Sequence, residues 1–142
     1  MTQIEFHFNA PDKLAYACRL LRKGTSHNQR LFVVVPEADL KQLDVALWSL
    51  SPYDFVTHCH ASQVHLMPHS SVIMATHLEA VAGVYIAVNL GPALPEGFER
   101  FERLIEVVSD DPADRSQARD RWKHYTALGY SLQRHDLNLK PH

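Results

Sequence analysis

Four side chains near the C-terminus, Arg115, Arg119, Trp122 and Lys123, fall at i, i+4, i+7 and i+8. On an α-helix that spacing puts them on one stripe. Three positive charges around a flat aromatic ring form a surface suited to an acidic peptide with an apolar or aromatic end. Guanidinium forks pair with carboxylates, and the indole adds apolar area and a cation–π face. Spacing taken alone favours the plainer alternative, a solvated basic face with Trp122 tucked into the core. Ala118, Tyr125 and Leu128 are expected on the core-facing side, and Arg121, off the stripe, as a plain surface charge.

Other residues with chemical potential point less clearly to a site. His58-Cys59-His60, with His65 and His69 nearby, is the densest run of metal-ligand types among the ten histidines. On an extended segment His58 and His60 would share a face, but the run matches none of the zinc-ligand spacings, so no metal is expected. Ser70-Ser71 beside His69 reads as a polar turn, since a catalytic triad needs a base oriented by a carboxylate, and no catalytic residue is expected. The five glycines, Gly24, Gly83, Gly91, Gly97 and Gly129, form no GxG pair and no GK[ST]. The phosphate loop of a nucleotide-binding fold is therefore missing, and no cofactor is expected.

The elements that must carry these residues are legible as periodicity. Ile4, Phe6 and Phe8 alternate with polar residues as in a strand with one buried face. Residues 12–23 follow with Leu14, Ala17, Cys18 and Leu21 on one helical side. Leu31 to Val35 is a run suited to a strand covered on both faces. Leu40, Leu43, Leu47 and Leu50 mark a helix over 37–50. Short strands are predicted at Val64–Met67 and Val72–Ala75, then core strands at Val84–Val88 and Leu104–Val108. A last helix spans 111–128, with Ser109 or Asp110 as N-cap, Pro112 in the first turn and Gly129 as the C-terminal cap. Strand and helix alternating at the start predict a Rossmann-like α/β fold with a largely parallel sheet between helices, in one domain over 1–142.

Composition sets the outer bounds. Of 142 residues, 46% are hydrophobic and 21% charged, the balance of a folded domain rather than a disordered chain. The formal net charge of −2 offers no bulk attraction to phosphates, so any role on DNA is expected to be indirect. Charge is unevenly spread: residues 31–99 hold one base, Lys41, and seven acids, whereas 115–123 hold four bases and one acid. Two cysteines make no disulfide framework and fit a reducing compartment. The N-terminus lacks a signal-peptide pattern and no apolar run reaches the roughly 18 residues of a membrane span. A cytoplasmic protein is expected.

Two longer stretches carry a resemblance. Ala118-Arg119-Asp120-Arg121-Trp122-Lys123-His124-Tyr125, followed by Gly129-Tyr130 and Leu132, resembles the "AR[DE]RY/WKxYxxxGYxLxxH" stretch of the DNA polymerase III chi family. Leu43-Asp44, Leu47-Trp48 and Tyr53-Asp54-Phe55-Val56-Thr57-His58 resemble its "LDxxLWxxxxxxFxPH" segment, with Thr57 where the family has Pro. Phe101-Glu102-Arg103 before Glu106-Val107-Val108 is a third, weaker match. Order and spacing agree over essentially the whole chain.

The resemblance implies a Rossmann-like fold without nucleotide, and an accessory, non-catalytic subunit of the bacterial replicative polymerase. It implies binding of the acidic, Phe-ending tail of single-stranded DNA-binding protein at Arg115, Arg119 and Trp122. Val108 would line the same pocket and Lys123 would be a supporting charge. It implies a second surface, Trp48 with Phe55, for the psi subunit that tethers chi to the clamp loader, a patch some members also offer to a helicase. A small α/β hydrolase or transferase, or direct binding of single-stranded DNA by the basic stripe, are the alternatives.

Overall fold

The computed structural model describes residues 1–49 and 56–139. Its strands are β1 (Gln3–Ala10), β2 (Leu31–Val34), β3 (His58–His60), β4 (Val72–Ala75), β5 (Ile86–Asn89), β6 (Arg103–Ser109) and β7 (Leu132–Asp136). The helices are α1 (Lys13–Ser26), α2 (Glu37–Trp48) and α3 (Pro112–Ala127). The strands form one seven-stranded sheet in the order β3-β4-β2-β5-β6-β1-β7, and every pairing is parallel. This is a Rossmann-like α/β arrangement.

Alternation along each strand builds two cores. Leu31, Val33, Val88, Ile105 and Val107 face α1 and α2, where Ala17, Leu21, Leu43 and Leu47 close over them. Ile4, Phe6, Phe32, Val34, Leu104 and Val108 face the other way, where α3 contributes Ala118 and Tyr125. A sheet covered on both faces needs apolar residues at successive positions, and β2 and β4 are buried throughout.

The turns are set by specific side chains. Asp12 caps α1, its Oδ1 accepting from Ala15 N at 3.1 Å. A carboxylate thus occupies the helix end where a dinucleotide fold presents free N–H groups to phosphate. Asp111, rather than Ser109 or Asp110, caps α3: its Oδ2 accepts from the backbone N–H groups of Ala113 and Asp114. At the other end Gly129 takes φ +91°, and Tyr130 N and Gly129 N donate to Tyr125 O and Thr126 O. That is the paired bonding of a Schellman cap.

Two further sequence expectations are corrected, and one strand is added. Val64–Met67 is not a strand: Val64 is 67% exposed, and the chain turns into a short 3-10 helix at Met67–His69, whose Pro68 could not donate to a ladder. Leu128 is 52% exposed, because it lies beyond the last helical turn and the capping reversal carries it away from the sheet. Strand β7 went unforeseen, since Leu-Gln-Arg-His-Asp carries no apolar alternation. As an edge strand it pairs on one side with β1 alone, His7 opposite His135.

Candidate docking site

Helix α3 lies across β6 and β1 on one sheet face. Trp122 is half-buried there, its indole edge-on to Phe6 at 5.1 Å between ring centroids. Beside it opens a cavity of about 310 Å³ lined by Phe6, Phe8, Val108, Arg115, Ala118, Arg119, Trp122 and Arg134. The floor is apolar, with Val108 and Ala118 buried and Phe6 supplied by the middle of β1. The rim is cationic, with Arg115 and Arg119 exposed on α3. Arg134 faces them from β7, its guanidinium carbon 5.0 Å from the Phe8 ring centroid. Among the described residues no salt bridge engages these three arginines. The nearby acid, Asp136, is held by hydrogen bonds from Asn9 Nδ2 and Asn138 N. These bonds, with the charges of Arg134 and Arg115, draw its pKa below the ordinary value.

Of the residues singled out in sequence, Val108, Arg115, Arg119 and Trp122 therefore meet around one cavity. Lys123 is exposed and outside its lining. Phe6, Phe8 and Arg134 were not read as part of it. Phe6 and Phe8 signalled only a strand face, and Arg134 sits on the strand the sequence did not reveal.

Arg121 is not a surface charge. It is 4% exposed and its Nε donates to Glu106 Oε1 at 3.1 Å, while Nη1 donates to the Pro92 carbonyl at 2.7 Å. Glu106, fully buried on β6, also accepts from Tyr125 Oη at 2.6 Å and Asn89 Nδ2 at 2.9 Å. Burial pushes the Glu106 carboxyl pKa up, opposed by Arg121, Tyr125 and Asn89. The network ties α3 to the sheet on the side away from the cavity, and so fixes the angle at which Arg115, Arg119 and Trp122 are presented.

The second surface lies on the opposite sheet face, toward the β3 edge. Trp48 closes α2 and is 61% exposed, with Val45, one turn earlier, 52% exposed. The indole stands edge-on to His58 at 5.5 Å, and His58 Nε2 lies 2.9 Å from Asp44 Oδ1. Trp48 and Val45 thus leave two large apolar side chains exposed on one helix face. Phe55 lies outside the described residues.

The side chains of the histidine run and the serine pair turn to separate partners. His58 turns its nitrogens to Asp44 and to the Val56 carbonyl. His60 bonds Ser62, and Cys59 is buried on the other side of the strand. Ser70 Oγ donates to the Leu66 carbonyl. Among the described residues, metal-ligating side chains converge instead at Glu5, His7 and His135.

A family model for the DNA polymerase III chi subunit (HolC) matches residues 1–133. The chain is 30% identical over 144 aligned residues to DNA polymerase III subunit chi of Pseudomonas aeruginosa, covering 96% of this chain and 98% of that one. It is 27% identical over 96 residues to subunit chi of Haemophilus influenzae, covering 68% and 67%. Among solved structures it is similar to the C-terminal domain of S. cerevisiae Dbp5 bound to Gle1 and IP6. There the TM-score is 0.63 at 12% identity, over 96% of this chain and 90% of that one. That likeness concerns the fold alone. Among the described residues no helix is long and apolar enough to cross a membrane.

Proposed function

The chain belongs to the family of DNA polymerase III chi subunits, and from that premise we propose that it is a cytoplasmic, single-domain, non-catalytic adaptor that joins the psi subunit to the acidic tail of single-stranded DNA-binding protein. The observation that carries the reading is the cavity on α3, where an apolar floor lies within a rim of Arg115, Arg119 and Arg134. A terminal aromatic ring fits the slot between Phe6, Phe8 and Trp122. Carboxylates N-terminal to it, and the terminal carboxylate itself, pair with the guanidinium groups. A contact of this size has an affinity on the order of micromolar, about 8 kcal/mol. Many tails displayed along coated DNA multiply it through effective concentration. DNA is reached only through that protein.

The second half of the reading rests on Trp48, a large aromatic left 61% exposed on the far face. With Phe55 it is the surface proposed for psi. Because the two surfaces lie on opposite sheet faces, both partners can be held at once.

Titration with the acidic tail peptide tests the first half. Wild type should bind, Arg119→Ala should bind at least about tenfold more weakly, about 1.4 kcal/mol, and wild-type affinity should fall with salt. Equal binding by the variant removes the cavity from the account. Trp48→Ala tests the second half: it should lose psi and keep the tail, whereas loss of both would make Trp48 a folding residue.

A further inference from the structure

On the sheet face opposite α3, where α1 leaves β1 and β7 uncovered, a second cavity of about 560 Å³ opens. Three side chains of zinc-ligand type meet in it. Glu5 and His7 stand two residues apart on β1, so they share a face, and His135 is the β7 residue in register with His7. His7 Nε2 lies 3.2 Å from Glu5 Oε1, and His135 Nε2 lies 3.4 Å from the same oxygen. All three donor atoms are within 4.8 Å of one another. Zinc bound tetrahedrally at about 2.0–2.1 Å sets its ligands about 3.3–3.4 Å apart, so two of the three edges already have the required length. We propose that Glu5, His7 and His135 bind a divalent transition-metal ion of the zinc type, with a fourth position open to the cavity.

The surroundings have the form of an outer ligand shell. His7 Nδ1 is 2.5 Å from Tyr16 Oη, which fixes the ring and can accept the Nδ1 proton once Nε2 holds the metal. Arg103 bonds Glu5, Nε to Oε2 at 2.5 Å and Nη2 to Oε1 at 3.0 Å. That pins the carboxylate and leaves Oε1 a lone pair toward the histidines. His135, on the sheet edge with its side chain 29% exposed, packs its ring 4.6 Å from that of His7.

Charge decides which metal. Arg19, Lys23 and Arg103 line the cavity against the one acid, which opposes a hard cation held by point charge such as magnesium or calcium. Two imidazoles instead favour zinc or its neighbours in the transition series. The same cationic rim favours an anion, hydroxide included, as the fourth ligand. Contiguous histidines drew attention in the sequence, but this group is split between residues 5–7 and 135 and becomes a group only through the pairing of β1 with β7.

The test uses the full chain, stripped with chelator and titrated with Co²⁺ and then Zn²⁺. The expected result is one equivalent bound, with the intense visible absorption of four-coordinate Co²⁺ that Zn²⁺ displaces. His135→Ala, at the sheet edge, and Glu5→Gln should each weaken binding on the order of 100-fold. His60→Ala should leave it unchanged, and all variants should keep the wild-type circular dichroism. Binding of wild type no tighter than that of His135→Ala, or loss of binding in His60→Ala alone, overturns the proposal.

Discussion

Arg121 and Glu106 form an ion pair inside the core between α3 and β6, Nε to Oε1 at 3.1 Å, with 4% and 0% of the side chains exposed. The pair sits one layer behind the candidate tail site. It is a costly arrangement, because two charges leave water and only good geometry compensates. Here Tyr125 and Asn89 donate to Glu106 and the Pro92 carbonyl accepts from Arg121, while Arg121 Nη2 is buried without a partner among the described residues.

Removing one partner should therefore cost far more than removing both. Arg121→Ala strands the Glu106 carboxylate and is expected to destabilise by about 3–5 kcal/mol, read as a lower urea midpoint. Arg121→Met combined with Glu106→Gln, which removes both charges and keeps an acceptor for Tyr125 Oη, should recover most of that loss. If Arg121→Ala costs under about 0.5 kcal/mol, the ordinary range for a surface residue, the pair is not buried in solution.

Arg121 is buried although a lone arginine in a basic stretch is expected at the surface. Ala118 and Tyr125 were placed on the core stripe of α3, and Arg121 falls between them at i+3 from Ala118 and i+4 to Tyr125. Geometry alone puts it inward. A charged residue is expected outside unless a partner is visible, and the partner of Arg121, Glu106, lies within the core strand β6, 15 residues away in sequence. The same limit hid Arg134. Strands β2 and β4 were legible because burial on both faces demands β-branched runs, and the ends of α3 because Pro112 and Gly129 are stereochemical signals. Strand β7 needs neither, since its stability comes from pairing with β1. Helical spacing puts Arg115, Arg119 and Trp122 on one stripe but by itself favours a solvated basic face, so a pocket on α3 is expected only from the family resemblance, and its β1 and β7 half requires the sheet order.

Arg134 should matter more to tail binding than Lys123, although Lys123 lies in the more suggestive stretch of sequence. Arg134 lines the cavity and stacks on Phe8, whereas Lys123 is exposed outside the lining. Arg134→Ala is expected to weaken the acidic peptide roughly 5- to 20-fold, about 1–2 kcal/mol. Arg134→Lys should recover only part, since lysine keeps the charge and loses the planar stack. Lys123→Ala should change affinity less than about threefold at moderate salt, because it acts through screened, long-range charge. Calorimetric titration of the three variants reads the order directly, and Lys123→Ala as the weakest of the three would contradict it.

Asp114 gives the first turn of α3 a defined acid limit. Its Oδ2 accepts from Ser109 N at 2.8 Å and Ser109 Oγ at 3.0 Å, and Lys13 Nζ lies 3.2 Å away. One carboxylate thus joins the end of β6, the start of α3 and the start of α1. Burial pushes its pKa up, but the Ser109 bonds and Lys13 outweigh burial and hold it below the ordinary 3.8. A depressed folded-state pKa means that the unfolded chain takes up the proton first. The stabilisation is then fully present above the unfolded value of 3.8, and it is lost as pH falls from there through the folded value. Asp114→Asn should accordingly be less stable than wild type at pH 7, and the difference should shrink steadily once the pH drops below about 4. Urea midpoints measured from pH 7 down to the acid limit will show it, and a difference that stays constant across that range would mean that Asp114 holds the turn by shape rather than by charge.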